Sequence, residues 1–189
     1  MRKILILLIV AALATVSLSA EVKKTKYKNG KTKFERNYVN GKLNGASKAY
    51  YESGRLKTYA KFKDGKLHGM TSGFYENGAL KAEIPMYEGK VDGFEKEFYK
   101  NGQVMSVTKY QNGVKVGAKK VYYSDGNLKA KLYFNEKGVL DGTILEYYPN
   151  GNKRYHVKVE NGVAKKGYIY ERDGERRKMT PQDFSDLGF

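Results

Sequence analysis

Tyr51-Glu52-Ser53-Gly54-Arg55-Leu56-Lys57-Thr58-Tyr59-Ala60-Lys61-Phe62-Lys63-Asp64-Gly65-Lys66-Leu67-His68-Gly69 opens on a tyrosine, carries three spaced glycines and holds a central run in which apolar and basic residues alternate. Side chains of a strand point alternately to its two faces, so the run Leu56 to Phe62 reads as strand and not as helix. The stretch recurs with a period of 24: Tyr27, Tyr51, Tyr75, Tyr99 and Tyr123 each open a Tyr-x-x-Gly unit, and Tyr148 follows after 25 because one residue is inserted near Asn135-Glu136-Lys137. A fixed period of this length decides the architecture.

Three glycine columns run through the units. The first is Gly30, Gly54, Gly78, Gly102, Gly126 and Gly151; the second is Gly41, Gly65, Gly89, Gly113, Gly138 and Gly162. The third is Gly45, Gly69, Gly93, Gly117, Gly142 and, one place late, Gly167. Asn-Gly or Asp-Gly pairs such as Asn29-Gly30, Asn101-Gly102, Asn40-Gly41 and Asp64-Gly65 mark tight hairpin turns that need positive φ. The third column falls inside the return strand and is predicted to be a packing notch for an aromatic of the next unit. Aromatic columns fit this: Tyr38, Phe62, Tyr110 and Phe134 close the outgoing strands, and Tyr50-Tyr51, Phe74-Tyr75, Phe98-Tyr99, Tyr122-Tyr123 and Tyr147-Tyr148 close the returning ones.

Each unit is therefore an up-and-down hairpin. Six in series predict an all-β chain of about twelve strands in an elongated single-layer antiparallel meander, roughly 50 to 60 Å long at about 4.8 Å between strands. Pro85 cannot donate to a central ladder and marks a bulge. The tail Thr180-Pro181-Gln182-Asp183-Phe184-Ser185-Asp186-Leu187-Gly188-Phe189 has the cap, early Pro and early acids of a short capping helix. Phe184, Leu187 and Phe189 would then cover the last hairpin, which otherwise presents a bare edge.

Ahead of the repeats, basic Met1-Arg2-Lys3, an apolar run from Ile4 to Val16 and small residues up to Ala20 read as a secretory signal peptide. An N-terminal anchor is the other reading. The organisation is then 1–20 signal peptide, 21–26 N-terminal arm, 27–174 repeat domain with a degenerate cap, and 175–189 tail. The 189 residues carry 36 Lys plus Arg against 20 Asp plus Glu, a formal charge of +16. No Cys and no Trp occur, and His68 and His156 are the only histidines. This excludes disulfides, thiol nucleophiles and thiolate metal sites, so stability must come from packing.

The recurring Tyr-x-Asn-Gly-x-Leu-Lys, followed a dozen residues on by Gly-Lys-x-x-Gly, resembles the bacterial variant of the MORN repeat, including the YwqK-type proteins described as antitoxins. The resemblance covers residues 27 to about 174. It implies a single-layer sheet of stacked β-hairpins, and relatives that touch phospholipids or protein partners instead of catalysing a reaction. Repeat six departs from the pattern with Lys153 in the Leu column and the late Gly167, and Arg172-Asp173-Gly174 is a degenerate seventh start.

No residue set points to catalysis. Glu95 and Glu97, at i and i+2, are an acid pair by spacing, but their neighbours in sequence suggest cross-strand balancing by lysines. His68 and His156 read as surface residues, and Asp92, Asp141 and Asn44 fill one turn-proximal column. No catalytic residue, cofactor or metal is expected. The sharper signal is basic: Lys33, Lys57, Lys81, Lys129 and Arg154 share one column, Lys61, Lys109, Lys131 and Lys158 extend it, and Tyr59 and Tyr133 interleave. These residues predict one basic and aromatic binding face. The 29 Lys against seven Arg favour diffuse attraction over bidentate recognition of phosphate. The resulting expectation is a non-enzymatic exported interaction module of the bacterial envelope, binding a protein partner. The alternatives are a toxin-neutralising antitoxin and a peripheral binder of anionic lipid or polysaccharide. The export signal argues against nucleic acid, membrane contact would be at most peripheral, and the oligomeric state is left open.

Overall fold

The computed structural model describes residues 19–189; residues 1–18, which hold most of the expected signal peptide, lie outside the described residues. The strands are β1 (Ala20–Lys26), β2 (Thr32–Val39), β3 (Lys42–Tyr50), β4 (Leu56–Lys63), β5 (Lys66–Leu67), β6 (Gly69–Phe74), β7 (Leu80–Tyr87) and β8 (Lys90–Val91). They continue with β9 (Gly93–Phe98), β10 (Val104–Gln111), β11 (Val114–Tyr122), β12 (Leu128–Phe134), β13 (Gly142–Tyr147), β14 (Lys153–Glu160), β15 (Val163–Tyr170) and β16 (Arg176–Lys178). One helix, α1 (Pro181–Asp186), follows. All sixteen strands form one sheet in chain order, with β5 and β8 pairing beside the main path. The fold is the elongated antiparallel meander of hairpins read from the repeats.

The strand count exceeds the expected twelve for two reasons. β1 and β16 add a strand at each edge, β1 from the stretch read as an arm. β5 and β8 are the first residues of return strands that a bulge cuts in two. In β4, Phe62 faces Leu67 and the Lys61 carbonyl accepts from the His68 amide, but pairing resumes only at Tyr59 with Ser72. Pro85 stands across from the equivalent bulge at Asp92-Gly93, while its own register with Met70 runs unbroken.

The two turn columns differ. Asn40 and Gly41 both have positive φ, 50° and 76°, the tight two-residue hairpin turn. At the first column only the glycine is left-handed, and the Tyr51 amide donates to the Arg55 carbonyl while Gly54 donates to Tyr51. The inserted residue of repeat five converts one kind into the other: Asn135 donates to Val139 and Gly138 to Asn135, the pattern of the first column.

The third glycine column is not the predicted aromatic notch. Gly93 does stand across from Tyr110 and Gly117 across from Phe134. What demands glycine is backbone: Gly93 has φ 117° and Gly142 φ 122°, at the bulge. A Cβ would meet the preceding strand on the other side, 3.1 Å from Pro85 Cγ or 3.2 Å from Tyr133 Cβ. The one notch is the late Gly167, where a Cβ would run into Met179 Sδ and stand 3.0 Å from Phe184 Cε1.

The sheet has two unequal sides. Ala60, Ser106, Thr108, Val157 and Val159, the buried side chains, all lie on one of them, here the ladder side. The tail packs on this side of the last hairpins, as the capping reading expects, while the outermost strand stays uncovered. Leu187 and Phe189 close a cavity of about 300 Å³ over Leu132, Ile144 and Val157, and Phe184 and Phe189 meet edge to face at 6.5 Å. The edge itself is β16, with Arg176, Arg177 and Lys178 exposed, and charge on a short strand is what discourages pairing with another sheet.

Two contacts tie α1 down. Thr180 and Asp183 form a capping box, and Arg177 grips Asp183 through two bonds of 2.8 and 2.9 Å. The Arg177 guanidinium, then the Thr180 amide and hydroxyl, hold the Asp183 carboxyl well below the usual carboxylate range. A lowered folded pKa means the tether is complete above about pH 4 and fades as pH falls further. Proton resonances of Phe184 and Phe189 should accordingly lose their dispersion under acid before the sheet melts; ring signals that survive until global unfolding would contradict this tether. Gly167→Leu should displace Met179 and Phe184, an overpacking cost of about 1–3 kcal/mol. Cleavage of the tail by added protease should then rise about tenfold or more with the sheet's far-UV spectrum unchanged; an unchanged cleavage rate would refute the notch.

Candidate interaction surface

The outgoing strand of every repeat contains an extra residue near its start. Across β3 and β4, Ala49 faces Thr58 and Tyr50 faces Leu56, leaving Lys57 unpaired. The same shift leaves out Lys33, Lys81, Met105, Lys129 and Arg154. A bulge interrupts the strict alternation of side chains, so its residue need not follow the face that counting predicts. Arg154 shows where it goes: Nη1 donates to Glu146 Oε1 at 2.9 Å, and Glu146 shares the ladder side with Ala130 and Tyr155.

There the bulged bases meet the repeat tyrosines. Lys33 Nζ lies 5.5 Å from the centre of the Tyr27 ring, Lys57 5.4 Å from Tyr51, Lys81 5.8 Å from Tyr75, Lys129 5.7 Å from Tyr123, and Arg154 Cζ 5.7 Å from Tyr148. Each tyrosine in turn reaches one repeat forward. Tyr27 donates to the Tyr50 carbonyl at 2.6 Å; Tyr51, Tyr75, Tyr99 and Tyr123 donate to Phe74, Phe98, Tyr122 and Tyr147 at 2.7 Å; Tyr148 donates to Tyr170 at 3.1 Å. Burial, and then the nearby Glu146 charge, push the Tyr123 phenol up. The conspicuous basic column thus covers the rings of a ladder that staples repeat to repeat.

Lys61, Lys131, Tyr59 and Tyr133 lie on the other, open side. The nine residues read as one binding face are therefore divided, five on the ladder side and four on the open side, because the bulge re-aims the column. On the open side, strand registers align a row across the sheet. Near the N-terminal edge the row is balanced: Glu35 pairs with Lys24 at 3.0 Å and Lys48 at 3.6 Å. Farther on it is not. Lys96 still has Glu83 across from it on β7, but on its other side it faces Val107, Val107 faces Lys120, and Lys120 faces Lys131 directly. Among the described residues, no ion pair includes Lys96, Lys109, Lys120 or Lys131. Lys131 Nζ lies 4.9 Å from the Tyr133 ring centre, and Tyr133 faces Ala118. Phe94 faces Lys109 and is 56% exposed.

Lys120, Lys96 and Phe94 fall outside the basic column read from the sequence because that column follows the outgoing strands, whereas these residues lie on return strands. The signal was present: Lys48, Lys96 and Lys120 recur at multiples of 24. Lys158, also on the open side, is paired with Glu160 at 2.7 Å.

The acid pair is placed differently from expectation. Glu95 and Glu97 face Thr108 and Ser106 instead of lysines, and Ser106 Oγ donates to Glu97 Oε2 at 2.6 Å. Burial, with help from Glu95, pushes Tyr110 up to about 12. His68 Nδ1 sits 4.0 Å from Glu88 Oε1 with its ring against Tyr87, and the His156 ring packs 6.4 Å from Tyr168. Among the described residues, no group of three His, Cys, Asp or Glu is placed to hold a metal ion.

The sequence pattern of the MORN repeat variant matches residues 43–64, 67–88, 92–112, 115–136 and 140–161. The chain belongs to the MORN repeat variant family. Each match spans a return strand and the next outgoing strand, so a MORN unit straddles two hairpins and its internal pairing carries one bulge, the one on the outgoing strand. MORN repeats are non-enzymatic modules for protein and lipid interaction. A search of curated proteins found no match to the chain.

Proposed function

We propose that this MORN protein is a non-enzymatic, exported interaction module of the bacterial envelope, and that its open side binds an acidic protein partner. The observation that carries the reading is Lys120 directly across from Lys131, with no ion pair to either among the described residues. Like charges facing each other across a strand pair destabilise a sheet, so an anion supplied from outside gains what the fold leaves unmatched. Exposed Phe94 and the Tyr133 ring beside these lysines add the apolar area that marks a protein contact over a diffuse ionic one. Export rests on Arg2, Lys3, the apolar run from Ile4 to Val16 and the small residues up to Ala20. A toxin with an acidic face is one partner of this kind, in keeping with the antitoxin resemblance.

The test is affinity capture from envelope and secreted fractions with immobilised chain, at low and high salt. One acidic protein retained at low salt and released as salt rises supports the proposal, because exposed lysine contacts are screened. Recovery of lipid or polysaccharide without protein would overturn it in favour of a peripheral envelope binder.

A further inference from the structure

We infer that a shallow pocket on the open side is the anchor point of that contact, taking one apolar or aromatic side chain from an acidic segment of the partner. The inference rests on the proposed acidic partner. Phe94, Val107, Lys109, Ala118, Lys120 and Tyr122 enclose a space of about 390 Å³. All six face the open side, on three consecutive strands β9, β10 and β11.

The repeat pattern shows why the pocket lies here. The return-strand position occupied by Phe94 is Met70 in the preceding unit and Ala118 in the following one. A large residue and a small one one repeat apart, with Lys109 between them, make a wall and a floor. Val107 is shorter than the residues at the corresponding outgoing positions, Glu35, Tyr59, Glu83 and Lys131. Tyr122 forms the second wall. The result has the composition of a recognition site: two aromatic walls, an aliphatic floor and two ammonium groups at the rim.

Charge selects the occupant. Lys109 and Lys120 line the pocket and Lys131 faces Lys120, and none of them has a carboxylate partner among the described residues. An apolar side chain flanked by Asp or Glu satisfies both features at once: the side chain enters between Phe94 and Tyr122, and its neighbours' carboxylates meet the lysines. Another apolar cavity among the described residues, under Leu187 and Phe189, is already lined by the chain's own tail.

Two fluorescein-labelled probes separate anchor from charge: Glu-Glu-Phe-Glu-Glu amide and Glu-Glu-Gly-Glu-Glu amide, titrated with the full chain by fluorescence anisotropy. The phenylalanine peptide should bind about tenfold tighter or better, the size of a hot-spot contact. Ala118→Leu, which fills the floor, and Phe94→Ser, which removes a wall, should each bring it down to the glycine peptide's affinity and leave the glycine peptide unchanged. Lys109→Gln with Lys120→Gln should weaken both. Far-UV spectra and melting midpoints of the four proteins confirm folding; both anchor positions are solvent-facing, so two independent variants keep the test open if one unfolds. Equal affinity of the two peptides, or indifference to Ala118→Leu and Phe94→Ser, overturns the anchor while leaving an acidic partner in place if the lysine variant still loses both. Failure of both peptides to bind the native chain overturns the anchor and the acidic partner together.

Discussion

A chain carrying Tyr75→Phe, Tyr99→Phe and Tyr123→Phe should melt about 10 °C below the native chain, although only three oxygen atoms are removed. Each hydroxyl donates to a partly buried backbone carbonyl one repeat ahead. Losing such a bond costs about 1 kcal/mol, more where the carbonyl finds no water. Successive ladder tyrosines are two strands apart, about 10 Å, so the losses should add to about 3 kcal/mol. For a domain of this size each kcal/mol moves the midpoint by about 2–4 °C. Position strengthens the effect, since the three bonds join consecutive repeats in the middle of a one-dimensional array, where stability depends on coupling between neighbours. Loss of that coupling should also broaden the transition or split it in two. Tyr59→Phe, on the open side and without such a bond, is the control and should move the midpoint by less than 2 °C. A triple variant as stable as this control would mean that the ladder is decorative.

Reversing charge at Lys120 and Lys131 should weaken capture of the acidic partner by about a hundredfold or more. Each Lys→Glu change removes an attraction and installs a repulsion against the same carboxylates, and like-charge juxtaposition across an interface costs several kcal/mol, where every 1.4 kcal/mol is tenfold. Most of the loss at low salt should appear in the association rate, because steering precedes contact. Stability should change little, since one like-charge pair replaces another across β11 and β12. That combination distinguishes a binding role from a structural one: a variant that binds normally, or that loses binding only because it unfolds, would remove the open-side row from the account.

The sequence carried the fold because repetition multiplies weak signals. One Asn40-Gly41 is a modest turn marker, whereas glycine columns repeated at a fixed period leave no other register. Alternation in Leu56 to Phe62 placed the strand, and Thr180-Pro181 with Asp183 placed the helix. What failed was counting by twos through a bulge. The extra residue at Lys57 and its equivalents cannot be seen in one strand, because it exists only relative to the partner, where Ala49 meets Thr58 and Tyr50 meets Leu56. Counting therefore put Lys57 beside Tyr59 and Lys61, whereas the bulge turns its column toward the repeat tyrosines. The same limit hid the function of those tyrosines, whose hydroxyl acceptors lie a full repeat away. Gly167 looked like a slipped member of its column, and its reason lay outside the repeats, in Met179 and Phe184 of the tail. The open-side row was legible only once return strands were aligned with outgoing ones, since Lys120 and Lys131 are neighbours across strands and not along the chain.

The lysines of the two sides are proposed to do different work, those over the tyrosines holding the array and those of the open row holding a partner. The direct measurement is binding of the captured partner to two variants of equal charge change: Lys57→Gln, Lys81→Gln and Lys129→Gln on the ladder side, and Lys109→Gln, Lys120→Gln and Lys131→Gln on the open side. The first should keep native affinity with a lowered melting midpoint, and the second should lose at least tenfold in affinity with a native midpoint. Loss of binding in the ladder-side variant with native binding in the open-side variant would contradict this division.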